Sequence, residues 1–161
     1  MALSIDDTIS VLNNLIETCK DGEEGFRSAA EGTDDSQLRA LFNEYAMQRG
    51  GFAAELQRQV AGLGGSPERS GSLAGAAHRG WMDIKSAVMG RDNKAIVNEA
   101  ERGEDSAVEQ YTDALARDLP SDVRSIVERQ ARMVREAHDR IRDLKSQYEM
   151  GAPRTRTGGT Y

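Results

Sequence analysis

Three kinds of side chain in this sequence have the chemistry to hold a metal, move a proton or attack a substrate. They are two histidines (His78, His138), a single cysteine (Cys19), and acids set among apolar residues, above all Glu23, Glu101 and Glu104. Two histidines exclude a histidine-rich metal cage. One cysteine excludes an internal disulfide and suits a reducing compartment. On an apolar face Cys19 reads as an inert buried thiol, because reactive thiols sit in electropositive, accessible surroundings. The run His78-Arg79-Gly80-Trp81 joins an imidazole, a guanidinium and an indole around a glycine. It reads in two ways: a polar site in which His78 or Arg79 meets Glu101 or Glu104, or a structural plug in which Trp81 fills a gap opened by Gly80. The plug is the simpler account. The glycines between Gly62 and Gly71 follow a helix and contain no Gly-Lys-Ser/Thr, so they make no phosphate loop. Glu23 sits on an apolar seam and is read as an edge residue reaching solvent or a neighbouring arginine.

Helical periodicity must position these groups. Ile5, Ile9, Leu12, Ile16, Cys19, Glu23, Phe26 and Ala30 step by threes and fours, the spacing of one helix face. Ser4 suits the start and Gly32 the end. Thr33 and Asp34 offer caps for a second helix with Leu38, Phe42, Tyr45, Arg49, Phe52, Leu56, Val60 and Leu63 on one side. Gly50-Gly51 lies inside it, which weakens the helix or lets another backbone come close. After the Gly62–Gly71 loop a shorter helix carries Leu73, Ala77, Trp81, Ile84 and Val88. Asp92 caps a third long helix (Ile96, Ala100, Gly103, Ala107, Tyr111, Ala114), and Leu119-Pro120-Ser121 turns into a fourth (Ile126, Val127, Gln130, Met133, Val134, Ala137, Ile141, Leu144, Tyr148). No segment alternates with period two, so no sheet is expected. Residues 1–150 are predicted to form one domain, and 151–161 a disordered basic tail.

The net charge of −6 repels phosphate backbones and argues against nucleic-acid binding. No apolar run approaches the ~20 residues of a membrane helix. Met1-Ala2-Leu3-Ser4-Ile5-Asp6-Asp7 lacks the basic start and apolar stretch of a signal peptide, so a cytoplasmic location is expected.

Three segments carry a family resemblance: Asp21-Gly-Glu-Glu-Gly-Phe26, Gly71 to Lys85 around His78-Arg-Gly-Trp81, and Glu101-Arg-Gly-Glu-Asp105. Over about residues 3–148 the chain resembles a bacterial family of ferritin-like proteins, domain-of-unknown-function family 2383. The resemblance implies an all-α, ferritin-like antiparallel four-helix bundle with a short crossover helix between long helices two and three. It implies no biochemical activity. A faint repeat agrees: Phe26-x-x-Ala-Ala and Tyr111-x-x-Ala-Leu stand at similar distances before their turns.

Ferritin-like di-metal centres take a carboxylate from each of two helices and a Glu-x-x-His pair from each of the others. Counting from the hairpin turns, the equivalent positions here hold Cys19, Glu104, Arg49-x-x-Phe52 and Arg135-x-x-His138. Two guanidinium groups stand where two carboxylates belong, and they repel a cation. The expectation is an ionic layer of Arg49, Glu104, Arg135 and His138 in place of a metal, with no cofactor. A residual iron or manganese site on Glu104 and His138 is the competing reading. A small-molecule site at the crossover, built from His78, Arg79, Trp81 and Glu101, is a third. The leading expectation is a non-catalytic scaffold or interaction protein, associated by fold analogy with stress responses. Its alanine- and glycine-rich face suits a homodimer; any other protein partner is unknown.

Overall fold

The computed structural model describes residues 2–71 and 79–149. Among them lie five helices: α1 (Ile5–Gly32), α2 (Ser36–Gly62), a short α3 (Ile84–Met89), α4 (Asn93–Leu115) and α5 (Ser121–Glu149). The architecture is an all-α, ferritin-like four-helix bundle, with α3 in the crossover between its two hairpins. The expected tail (151–161) lies outside the described residues, as does the first part of the crossover with Leu73, Ala77 and His78.

Local signals start each helix. The Ser4 hydroxyl accepts from the Asp7 amide at 3.0 Å, with Asp6 and Asp7 at the positive end of the α1 dipole. The cap of α2 is Asp35, one residue beyond the expected Thr33 and Asp34; its carboxylate accepts from the Gln37 and Leu38 amides. Thr33 instead accepts from the Asp35 amide and donates to Asn93, which pins the α1–α2 turn against α4. Asp92 caps α4 through the Lys94 amide at 3.1 Å. Helix α2 runs unbroken through Gly50-Gly51.

The start of α1 meets the end of α4, where the Leu3 amide donates to the Asp118 carbonyl at 2.8 Å. These two helices therefore run antiparallel. The end of α5 meets the start of α2, where the Tyr148 hydroxyl reaches Asp35 at 3.5 Å. The hairpins α1–α2 and α4–α5 pack most extensively, and the α2–α5 seam is the most open. Helices α2 and α4 stand diagonally across the bundle.

The apolar interior comes in two parts. One gathers Leu12, Leu15, Ile16, Leu56, Val60, Val127 and Val134 at the end holding the α1 start. The other gathers Phe26, Leu38, Phe42, Trp81, Ile96 and Ile141 at the opposite end. Each fully buried aliphatic or aromatic side chain contributes about 1.5–3 kcal/mol. Charge and hydrogen bonds lie between these two halves.

Candidate functional site

Arg49 sits on the buried face of α2, between Tyr45 and Phe52. Glu104 sits on the buried face of α4, beside Gly103 and Ala107. Arg49 crosses the diagonal to Glu104 in a two-pronged pair: Nη1 donates to Oε1 at 2.5 Å and Nη2 to Oε2 at 2.6 Å. The two side chains are 1% and 0% exposed. The third prong, Nε, donates to Gln48 at 3.2 Å. The Phe26 ring lies 5.3 Å from the guanidinium, within cation–π range. Gly22 makes room for the arginine stem; a Cβ there would meet Nη1 at 3.4 Å. Burial opposes the charge on Arg49, but the Glu104 carboxylate against it outweighs burial and holds the guanidinium above its ordinary range. Planar fork on planar carboxylate is the geometry that suits arginine to a desolvated partner.

A hydrogen-bonded chain next to the pair touches all four long helices. Cys19 of α1 lies 3.1 Å from the Tyr111 hydroxyl of α4. That hydroxyl donates to Gln130 Oε1 of α5 at 2.7 Å, and Gln130 Nε2 donates to Glu55 of α2 at 2.8 Å. Arg129 closes the chain on Glu55 at the surface. Gln130, already on the fourth helix's face in the sequence, is wholly buried; what the sequence did not reveal is its part in this hydrogen-bonded chain. The signal for its burial was its place between Val127 and Val134 on the core face of α5.

Burial pushes the Cys19 thiol from 9.0 to about 11, despite the Tyr111 hydroxyl and Arg49, which lower it. Burial likewise raises Tyr111 well above its usual value. Both groups are therefore held protonated. Two results are expected. Native Cys19 resists a disulfide reagent such as DTNB until the chain opens, giving modification no faster than global unfolding. Because both folded-state values lie above the unfolded ones, each group's stabilisation is complete below its unfolded value and is lost as the pH rises; for Cys19 that loss runs from about pH 9 toward 11. A urea midpoint that falls across that interval, and falls less in Cys19→Ser, checks the sign.

The other expected members of the ionic layer lie elsewhere. Arg135 is exposed, because the buried face of α5 runs through Val134 and Ala137 and position 135 is about 100° past it. His138 points to the α4–α5 seam and meets Asp105 instead of Glu104: its Nε2 lies 2.6 Å from Asp105 and 3.8 Å from Glu101, its Nδ1 3.3 Å from Asp139. Burial pulls the ring's pKa down, but the bonds to Asp105 and Asp139 outweigh it and hold it above the ordinary histidine value. The imidazole nitrogen and the Glu101 and Asp105 oxygens all lie within 4.8 Å of one another. Glu101 also accepts from Lys145 at 3.2 Å.

The crossover set separates as well. Glu101 faces α5 while Trp81 is wedged between α1 and α4. Arg79 is exposed, and His78 lies outside the described residues. A Cβ on Gly25 would come 2.3 Å from the Trp81 ring and one on Gly103 2.1 Å. The indole thus occupies a slot that only two glycines leave open, and it meets the Phe26 ring edge-on at 4.9 Å. A cleft of about 570 Å³ opens beside it, lined in part by Asp21, Glu24, Ser28, Ser70 and Lys85. Glu23 stays at the seam's edge, pairing with Lys20 and Arg27.

Among the described residues no helix is long and apolar enough to cross a membrane. A family model described as a domain of unknown function (DUF2383) matches residues 7–117. That span holds Gly22, Gly25, Arg49, Trp81, Gly103 and Glu104. No curated protein matches the chain.

Proposed function

The chain belongs to the DUF2383 family, a domain of unknown function, and from that premise we propose that it is a non-catalytic bundle acting through its outer surface, as a scaffold or interaction protein. One observation carries the reading: the centre of the bundle, where a ferritin-like protein would place carboxylates around metal ions, is filled by the Arg49–Glu104 pair. Both Glu104 oxygens are committed to the guanidinium, and a permanent cation stands in the cation's place. A cytoplasmic role in stress adaptation belongs to this reading through fold analogy alone.

The test is elemental analysis of protein produced in iron- and manganese-supplemented medium and purified without chelator. No ions should be retained at the bundle centre. Two per chain, kept by His138→Ala but lost in Glu104→Gln, would sink the reading.

A second reading has its own observation, the Glu101–Asp105–His138 cluster at the α4–α5 seam. Two carboxylates and an imidazole suit zinc or manganese. Asp139 beside Nδ1 turns Nε2 toward the carboxylates, as an outer carboxylate does at many metal-bound histidines. Lys145 on Glu101 competes with an ion. Calorimetry with zinc should give one equivalent, abolished by His138→Ala and indifferent to Glu104→Gln. Wild-type protein that gives no binding heat at millimolar zinc would exclude it.

A further inference from the structure

One stripe on the outer face of α2 is spaced evenly about Gly51, two residues past the helix midpoint at Arg49. Gly51 stands at the centre. Met47 and Glu55 lie four residues to either side, Glu44 and Arg58 seven, and Ala40 and Gly62 eleven. At 100° per residue all seven fall within about 40° of one line along the helix. Six of them are exposed and Glu55 is half-buried. Met47 is 78% exposed. A Cβ built on Gly51 or Gly62 meets nothing within 4 Å, so another backbone can approach closely there. Neither Glu44 nor Arg58 has an ion pair among the described residues. Beside this line the open α2–α5 seam forms a groove of about 770 Å³ with Phe52 and Met133 in its lining.

We propose that this face binds a second copy of the chain, with two α2 helices crossing antiparallel about a two-fold axis through Gly51. A two-fold axis carries each residue onto the position equally far on the other side of the centre. Glu44 therefore meets Arg58 of the second copy, and Arg58 meets its Glu44. Ala40 faces Gly62, so the outer ends of the contact stay small. Met47 of each copy lands beside Glu55 and enters the seam groove near Phe52 and Met133 of the other. Glu44 and Arg58 complement each other in charge across the axis, and neither has an ion pair of its own among the described residues, while Glu55 keeps its bonds to Arg129 and Gln130. Occupation by the second copy also covers the least packed seam of the bundle. One helix with a groove rim is less than a standard interface of roughly 800 Å² per partner, so the dimer is weak.

The inference rests on the reading that the protein works through its surface, and the two fail separately. Sedimentation equilibrium of the full chain from ~10 µM to ~1 mM should show reversible dimerisation. Glu44→Arg sets like charges opposite each other twice and should weaken the dimer about 10-fold. The double variant E44R/R58E restores opposite charges and should return to within about 3-fold of wild type. Gly51→Glu should leave monomer only. Each altered side chain is exposed, and far-ultraviolet circular dichroism confirms that the helices are kept. A wild-type chain that stays monomeric at 1 mM, or a dimer indifferent to Glu44→Arg and Gly51→Glu, would overturn the dimer while leaving the inert interior untouched. A charge reversal that weakens the dimer without rescue by the second substitution would overturn the two-fold pairing.

Discussion

Arg49→Met should destabilise the fold by about 3–5 kcal/mol, one of the two largest effects expected of a single substitution in this chain. The reason lies in what is left behind. Glu104 is wholly buried, and its two oxygens bond to the two arms of one guanidinium. Methionine fills much of the vacated volume but leaves a carboxylate facing hydrocarbon. That group must then take up a proton or draw water into the bundle, and either route is costly. Arg49→Met combined with Glu104→Leu should recover most of the loss, because desolvating both ions already absorbs much of what their attraction returns. Urea unfolding followed by circular dichroism, with midpoints for both singles and the double, closes the cycle. A single-variant loss under 1 kcal/mol would mean that Glu104 reaches solvent without its partner, and the description of a sealed centre would be wrong.

The second large effect is expected at Gly103. A Cβ there would lie 2.1 Å from Trp81, well inside van der Waals contact. Gly103→Ala must therefore push the indole out of its slot. Gly25 bounds the other side at 2.3 Å, so the ring has no room to slide. Overpacking costs typically 1–3 kcal/mol, and losing the ring altogether in Trp81→Ala about 3–5 kcal/mol. The two changes act on one contact, so the double variant should cost clearly less than their sum. Trp81 is the chain's single tryptophan and is 6% exposed. Its fluorescence is a direct probe: Gly103→Ala should shift the emission to the red in the still-folded protein. An unshifted spectrum with unchanged stability would contradict the slot.

Much of this was legible in the sequence. The three–four stepping of apolar residues gave the four long helices, and Pro120, Ser4 and Asp92 gave their starts. Counting from the hairpin turns put these residues in one layer, because helical rise per residue converts sequence distance into height. It set Arg49 beside Cys19 and Glu104 beside Arg135 and His138, whereas the pair that forms is Arg49–Glu104. The same counting failed for Arg135 and His138. It relied on a faint repeat between hairpins, whereas the face of α5 is set by its own pattern through Val127, Gln130, Val134 and Ala137. A one-residue offset rotates a side chain by about 100°, enough to move it from the centre to the surface. The diagonal reach of Arg49 was hidden as well, since adjacency along the chain reveals neighbouring helices and says nothing of a long side chain spanning opposite ones. Gly25 and Gly103 were visible as glycines inside helices. What they make room for depends on where the crossover lays Trp81, and no local pattern encodes that.

The division of the interior has a consequence for alignment. Leucine, isoleucine and alanine are nearly interchangeable neighbours, so a purely oily bundle would tolerate one helix sliding a turn past another. Here such a slip of about 5.4 Å would strand a guanidinium on one level and a carboxylate on the next. The Arg49–Glu104 pair thus acts as a key between opposite helices, penalising misassembled states far more than it strengthens the correct one.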